Sequence, residues 1–334
     1  MPGEAAFVSD HWQARGEDER MKAIVVREFG GPEQLRLAEV PDPLPGPGQV
    51  RIAVHAAGVN PVDAGNRARG GWAGITTPFI PGYDIAGVVE SIGQGVSGLT
   101  AGDRVMSMTH FPKGAGGYAE LAVVGADQVA VIGADTAFTD AAATPVAGGT
   151  ALAVLSRLAL PPGRRLLVLG ASGGVGQFLL QLAAARGIET IAVGRRAMHD
   201  QMRALGATWC VDYASEDVAE RAVSLSGGPV DAIADLVGGQ VLAPALPALR
   251  PGGQITAIET PDLDLEPLLD ANLTFHGLLI GDDGERTRTL AALLTGGALR
   301  PVISHLLPLS DAAHAHRIIE DHHPGGKVVL SVVS

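Results

Sequence analysis

Cysteine is nearly absent: Cys210 is the single one in 334 residues. One thiol cannot close an intrachain disulfide, and such a chain gives no sign of an oxidising compartment. It also excludes a cysteine-rich zinc lobe or an iron–sulfur cluster, each of which needs several thiolates. Lysine is scarce too, with only Lys22, Lys113 and Lys327 among 24 basic residues, and 36 acids bring the formal charge to −12. That balance argues against a general nucleic-acid surface. Long apolar runs are missing. The least polar stretch, from Ala141 to Pro162, is broken by Thr144, Pro145, Thr150, Ser156 and Arg157, so no membrane span is expected. Residues 1–20 have no basic start and no apolar centre, which excludes a signal peptide. They fit no element and are read either as a disordered tail or as the product of a start codon placed too early, in a protein expected to be cytoplasmic.

What remains is globular, with 46% hydrophobic and 18% charged residues. The length suggests about two domains. From Met21 to about residue 145 the text is strand-like, in runs such as Lys22–Arg27, Gln49–His55, Ile85–Glu90 and Tyr118–Val124, separated by Gly/Pro clusters. A compact barrel-like domain is expected over 21–145. Over 146–285 strands and helices alternate. Leu166–Leu169 is uniformly apolar, as a strand buried on both faces is. Val175, Phe178, Leu179 and Leu182 follow at helical spacing. Further strands are predicted at Thr190–Val193, Trp209–Val211, Asp231–Asp235, Gln254–Ile258 and Leu273–Leu278. Six strands with crossovers fit a doubly wound parallel sheet. Residues 286–334 leave the pattern, and Val302–Ser304, a helix over Asp311–Asp321 and the strand Lys327–Val333 read as pieces packing back on the first domain.

The most informative segment is Leu169-Gly-Ala-Ser-Gly-Gly-Val-Gly176, between an apolar strand and an amphipathic helix. Small residues there let the backbone approach a pyrophosphate, whose charge meets the free N–H groups at the helix start. In the G-x-G-x-x-G frame Ala171 takes the first position, with Gly173 and Gly176 at the others. An NAD site usually carries an Asp or Glu after the second strand for the ribose 2′-hydroxyl. This chain has Gly194-Arg195-Arg196 there, and two guanidinium groups suit the 2′-phosphate of NADP(H).

With these residues in place, the chain resembles the zinc-free quinone oxidoreductase branch of the medium-chain dehydrogenase/reductase superfamily. The resemblance runs from Met21 to the C-terminus. It rests on Gly58-Val-Asn-Pro-Val-Asp63, Phe79-Ile-Pro-Gly-Tyr-Asp-Ile-Ala-Gly87, Gly116-Gly-Tyr-Ala-Glu120, Gly149-Thr-Ala151, Ala171–Gly176, Val211-Asp-Tyr213, Asp235–Gly239, Leu249–Gly253 and Gly326–Leu330. It implies an α/β chain in which a GroES-like β-rich catalytic domain is joined to a Rossmann doubly wound parallel sheet, with the active-site cleft between them. It implies cofactor contacts from Asn60, Thr150, Ser172, Gly173, Gly174, Val175, Gly194, Arg195, Arg196, Tyr213 and Val237, with Lys327 closing over the phosphates. A homodimer pairing the last Rossmann strand, around Leu273–Ile280, is also implied.

Zinc-dependent relatives have a Cys where this chain has Asn60 and a His-Glu pair where it has Tyr83-Asp84, so no metal is expected. The pairs His314/His316 and His322/His323 are read as solvated helix-end residues. Without a Lewis acid, reduction of a simple ketone loses charge stabilisation, whereas a quinone or α,β-unsaturated carbonyl spreads the incoming charge itself. NADPH-dependent hydride transfer to a quinone or activated alkene is the expected activity. Asn60 and Asp63 are the polar catalytic candidates, Asp63 being equally readable as a turn residue. Trp72, Met108 and Phe111 are pocket-wall candidates. An enoyl-thioester reductase would need a basic entrance, for which Arg67 and Arg69 are the candidates. A non-catalytic NADPH-binding protein is the third reading.

Overall fold

The computed structural model describes residues 19–70, 74–111, 115–321 and 325–332. Two compact units emerge, one built from the chain up to Val146 and again from Gly281 onward, the other from Ala147–Ile280.

The first unit is β-rich. Arg20–Val25 and Arg36–Pro41 form an antiparallel ribbon. Arg20 pairs with Pro41 there, so the last residue of the expected disordered extension belongs to a strand. The main sheet has seven strands. At its centre Gln49–Val59 alternates the fully buried Val50, Ile52 and Val54 with Arg51, Ala53 and His55, the period-two pattern of a strand with one core face. One edge of this strand pairs with Asp84–Ile92. The other is shared in succession by Leu121–Gly125, beside Gln49–Ala53, and Lys327–Ser331, beside Ala56–Val59. The chain end is thereby built into the middle of the sheet, with Val328 opposite Val59. Ile303–Pro308 lies beyond it, and helix Ala312–Glu320 packs its Ala312, Ala315 and Ile319 face into the same core.

The second unit is a six-stranded sheet in the spatial order Trp209–Val211, Glu189–Val193, Arg165–Leu169, Val230–Asp235, Leu249–Ala257, Thr274–Gly277. Every neighbouring pair is parallel. In chain order that is 3-2-1-4-5-6, the dinucleotide-binding arrangement of two mononucleotide halves. Leu167, Ile191, Val211, Ile233 and Ile255 are fully buried at its centre. At this unit's end Asp282 returns the chain to the first: Phe111 N–H donates to Asp282 Oδ1 at 2.8 Å, and Asp282 N–H to Phe111 O at 3.3 Å. Among the described residues no helix is long and apolar enough to cross a membrane.

Candidate functional site

In the second unit the glycine loop follows strand Arg165–Leu169 and opens helix Gly174–Ala185. Gly170 adopts φ +78°, the left-handed turn that starts the loop. A Cβ on Gly176 would lie 2.4 Å from the carbonyl oxygen of Ala171, so only glycine lets the helix approach this closely. The N-cap, Gly173, has no side chain to cap the helix. First-turn N–H groups are thus left for an anionic ligand, and the loop fits a dinucleotide pyrophosphate. Ser172, Gly173, Gly174 and Val175 are half-buried along it.

Beyond the second strand, Gly194 is buried and Arg195 and Arg196 are exposed. Arg195 Nε donates to the hydroxyl of Tyr213 at 2.9 Å. Neither guanidinium has an ion-pair partner among the described residues. Asp212 stands close by, but its carboxylate already accepts from Ala214 N–H and Ser215 Oγ–H. Val237 is exposed after the fourth strand, and Thr150 is buried in helix Pro145–Leu158.

In the first unit the sheet and two helices converge on a buried polar cluster. Asn60 caps helix Pro61–Arg69, and its backbone N–H donates to Asp63 Oδ2 at 2.8 Å. Asp63 is thus a helix-start residue, not a loop residue. The Asn60 side chain is turned away to a second carboxylate, with Nδ2 donating to Asp84 Oδ2 at 2.9 Å. Asn60 Oδ1 accepts from Lys327 Nζ, which also donates to Val59 O at 3.2 Å and lies 3.6 Å from Asp84 Oδ2. Asp84 Oδ1 accepts from Val146 N–H at 2.8 Å. Lys327 is held inside this unit by three oxygens. Burial pushes the Asp84 carboxyl up and the Lys327 ammonium down, and each offsets the shift of the other by opposite charge.

Asp63 is held from its other side. Tyr118 Oη–H donates to Asp63 Oδ2 at 3.2 Å. Behind it, His316 Nε2 is 3.3 Å from Tyr118 Oη, and Arg67 Nη1 is 3.4 Å from His316 Nδ1. Arg67 can only donate, so Nδ1 is the acceptor and the ring proton sits on Nε2, directed at Tyr118. Burial and the neighbouring Arg67 push the His316 pKa down to about 3, which keeps the ring neutral. Arg67 also binds Gly30 O at 3.0 Å and the carboxylate of Glu320. Burial raises Asp63 to about 7. Its Oδ1 is buried and has no partner.

Two sequence expectations are corrected here. His316 is fully buried, not solvated, because it sits with Ala312, Ala315 and Ile319 on the apolar stripe of its helix, whereas His314 is exposed. Arg67 is 2% exposed and internally paired, so of the two basic-entrance candidates only Arg69 faces solvent. Met108 and Phe111 are buried, the latter edge-on to Tyr83 with ring centroids 4.8 Å apart. Trp72 and the pair His322/His323 lie outside the described residues. Tyr118 and Asp84 were not singled out as site residues from sequence, although both stand in the quoted motifs. Among the described residues no three His, Cys, Asp or Glu side chains gather as a metal site.

A glycine-loop dinucleotide sheet joined to a GroES-like β-unit defines the class of nicotinamide-dependent oxidoreductases. Comparisons agree. Residues 46–134 match the family model described as alcohol dehydrogenase GroES-like domain, and residues 205–330 the one described as zinc-binding dehydrogenase. The chain is 33% identical over 325 residues to the quinone oxidoreductase of Sus scrofa, covering 93% of this chain and 97% of that protein. It is similar to the solved quinone oxidoreductase from Coxiella burnetii, with TM-score 0.87 and 33% identity over 94% of this chain and 100% of the other. A solved NAD-dependent alcohol dehydrogenase matches with TM-score 0.88 and 29% identity, over 94% and 100% of the two chains. The chain belongs to the medium-chain dehydrogenase/reductase family. It is an oxidoreductase that uses a nicotinamide cofactor on a small-molecule substrate.

The state of Asp63 can be tested through stability. Its carboxyl titrates near 7 in the folded chain against 3.8 ordinarily. The folded state therefore holds a proton that the unfolded state releases between those values. The resulting stability is present below about pH 4 and lost as pH rises towards 7. Asp63→Asn removes this titration and keeps an acceptor for Asn60 and Tyr118. Relative to the parent, its stability should improve by on the order of 2 kcal/mol between pH 5 and pH 8. Calorimetric melting at the two pH values reads the difference; a gap independent of pH would refute the assignment.

Proposed function

We propose that the chain is a zinc-independent reductase that transfers hydride from NADPH to a quinone or an activated alkene. The observation that carries the reading is the buried contact of Lys327 with Asn60 and Asp84. An ammonium group occupies the carboxylate, and Asn60 and Tyr83 supply no thiolate or imidazole, so this donor set does not fit a catalytic zinc, which needs three protein ligands. A substrate whose own conjugation disperses charge is the one such a site can serve. The names of the quinone oxidoreductase relatives support the same substrate class.

The nicotinamide, when bound, supplies the hydride, and the chain's own residues position and protonate. The helix start at Gly174 and the loop Ser172–Val175 would hold the pyrophosphate, and Thr150 and Val237 would serve the nicotinamide end, with Asn60 a further candidate to orient the nicotinamide ribose. Arg195, Arg196 and Tyr213 would hold the adenosine ribose, where guanidinium groups free of ion-pair partners among the described residues favour a 2′-phosphate. Reducing a quinone to its hydroquinone takes up a proton as well as a hydride. Asp63 holds one near neutral pH, and since Oδ2 already accepts two hydrogen bonds, the proton resides on Oδ1. We also propose a homodimer. Among the described residues strand Thr274–Gly277 pairs on one side only, and Leu265, Leu269, Phe275 and Leu279 are exposed around it. An unpaired edge with apolar flanks is satisfied by the same edge of a second copy.

Stopped-flow loss of NADPH absorbance tests the activity, on protein dialysed against a chelator, with a naphthoquinone, a phenanthrenequinone, an enone and a crotonyl thioester. Oxidation by the quinones or the enone, undiminished by chelation, is expected. Tight NADPH binding with no oxidation by any member would leave a non-catalytic binding protein, and activity restored only by added zinc would overturn the metal-free reading. Replacing Arg195 and Arg196 with Ala should weaken NADPH roughly tenfold or more while leaving NADH within about twofold; equal losses would exclude a 2′-phosphate site. Sedimentation should give about twice the 34.1 kDa chain mass, falling to the single-chain mass in Leu269→Asp/Phe275→Asp. A dimer untouched by both changes does not use this edge.

A further inference from the structure

The two halves of the dinucleotide sheet are in register. In the first half Leu169 pairs with Val193, in the second Asp235 pairs with Ala257, and Leu169 pairs with Asp235 across the junction. Counting outward from these rows, the glycine loop Gly170–Gly173 corresponds to Leu236–Gly239. Arg195, two residues beyond Val193, corresponds to Glu259, two residues beyond Ala257. In the first half of a doubly wound sheet, a carboxylate after the second strand accepts from the ribose hydroxyl bound there, and the pseudo-symmetry of the two halves gives the matching position of the second half the same relation to the second ribose. This chain lacks that carboxylate in its first half and carries one in its second.

Glu259 is exposed, and its carboxylate makes no hydrogen bond or ion pair with any described residue. Beside it Asp235 is fully buried. Asp235 Oδ1 accepts from Val237 N–H and Gly238 N–H, both at 3.0 Å, while Oδ2 has no partner. Partial burial and the charge of Asp235 together push the Glu259 carboxyl up. Two acceptors without donors thus face the carboxyl ends of two adjacent parallel strands. Asp235 Oδ2 is a buried acceptor without a donor, which is unfavourable, and the open carboxylate of Glu259 beside it offers a hydroxyl-bearing ligand a second acceptor. A vicinal diol brings two hydroxyls.

We propose that Glu259, with Asp235 behind it, binds the hydroxyls of the nicotinamide-side ribose, so that this protein recognises the two riboses of its cofactor by opposite charges: cationic at the adenosine end, anionic at the nicotinamide end. The proposal rests on the nicotinamide-cofactor reading and adds a side chain to it.

The test is a set of dissociation constants, by titration calorimetry, for NADPH and NADH and for two fragments that lack the nicotinamide ribose, adenosine 2′,5′-bisphosphate and ADP. In Glu259→Ala both dinucleotides should weaken roughly tenfold to a hundredfold, the range for hydrogen bonds to a charged acceptor. Both fragments should stay within about twofold. Glu259→Gln, which keeps one acceptor oxygen, should fall between. Dinucleotides unchanged, or dinucleotides and fragments weakened alike, would overturn the proposal and leave the cofactor reading standing. So would loss of Ca²⁺ or Mg²⁺ binding in Glu259→Ala with cofactor affinity intact, which would make the two carboxylates a cation site. Parent protein that binds neither dinucleotide would overturn the cofactor reading and the proposal with it.

Discussion

The first unit is organised around the burial of one positive charge. Lys327 is 3% exposed, and an ammonium removed from water is costly unless it meets a counter-charge and further acceptors. Asp84, Asn60 and Val59 supply them. The contact joins residues 267 positions apart. It can form only if the C-terminal strand is inserted beside Ala56–Val59. That insertion brings helix Ala312–Glu320 with it, and with the helix His316, which holds Tyr118 against Asp63. The start of helix Pro61–Arg69 is thereby fixed from two sides by residues from the far end of the chain.

This arrangement makes the cluster a set of linked protonation states. Asp63 and Asp84 are two acids under one burial constraint, with a single ammonium near both. Lys327 touches Asp84 and offsets part of its rise, while burial holds the Asp63 carboxyl at about 7, so that it carries a proton near neutrality. The neutral His316 ring adds no charge to this balance and serves to orient the Tyr118 hydroxyl. The second unit follows a different logic. Its sheet core is largely apolar, and its cofactor-facing chemistry is gathered at the ends of the strands, where main-chain N–H groups, two arginines and two carboxylates emerge at positions related by the register of the two halves.

Much of this was legible in the residues. The run Leu166–Leu169, the helical spacing from Val175 to Leu182 and the small-residue loop between them named the sheet, the crossover and the phosphate site, because hydrophobic periodicity and glycine geometry are local properties. The pair Arg195–Arg196 was visible for the same reason. The strand Lys327–Val333 was recognised as a strand, and the side chain at its first position was assigned to the phosphates. Its burial against Asp84 depends on a partner strand far away in sequence. His316 shows the same division within a single helix. Its spacing with Ala312, Ala315 and Ile319 places it on the apolar face, yet a histidine in a paired motif near the chain end reads as solvated until the facing Arg67 and Tyr118 are known.

The sequence by itself determined the family, the order of the strands, the glycine loop and the residue types available at each strand end. The tertiary structure alone decided which polar groups are buried and what they face: the ammonium of Lys327 on Asn60 and Asp84, the His316–Tyr118–Asp63 chain, and Glu259 beside Asp235. The reason is physical. Periodicity and turn chemistry act between residues a few positions apart, whereas the state of a buried charge is set by desolvation and by partners that only the folded chain brings within a few ångströms.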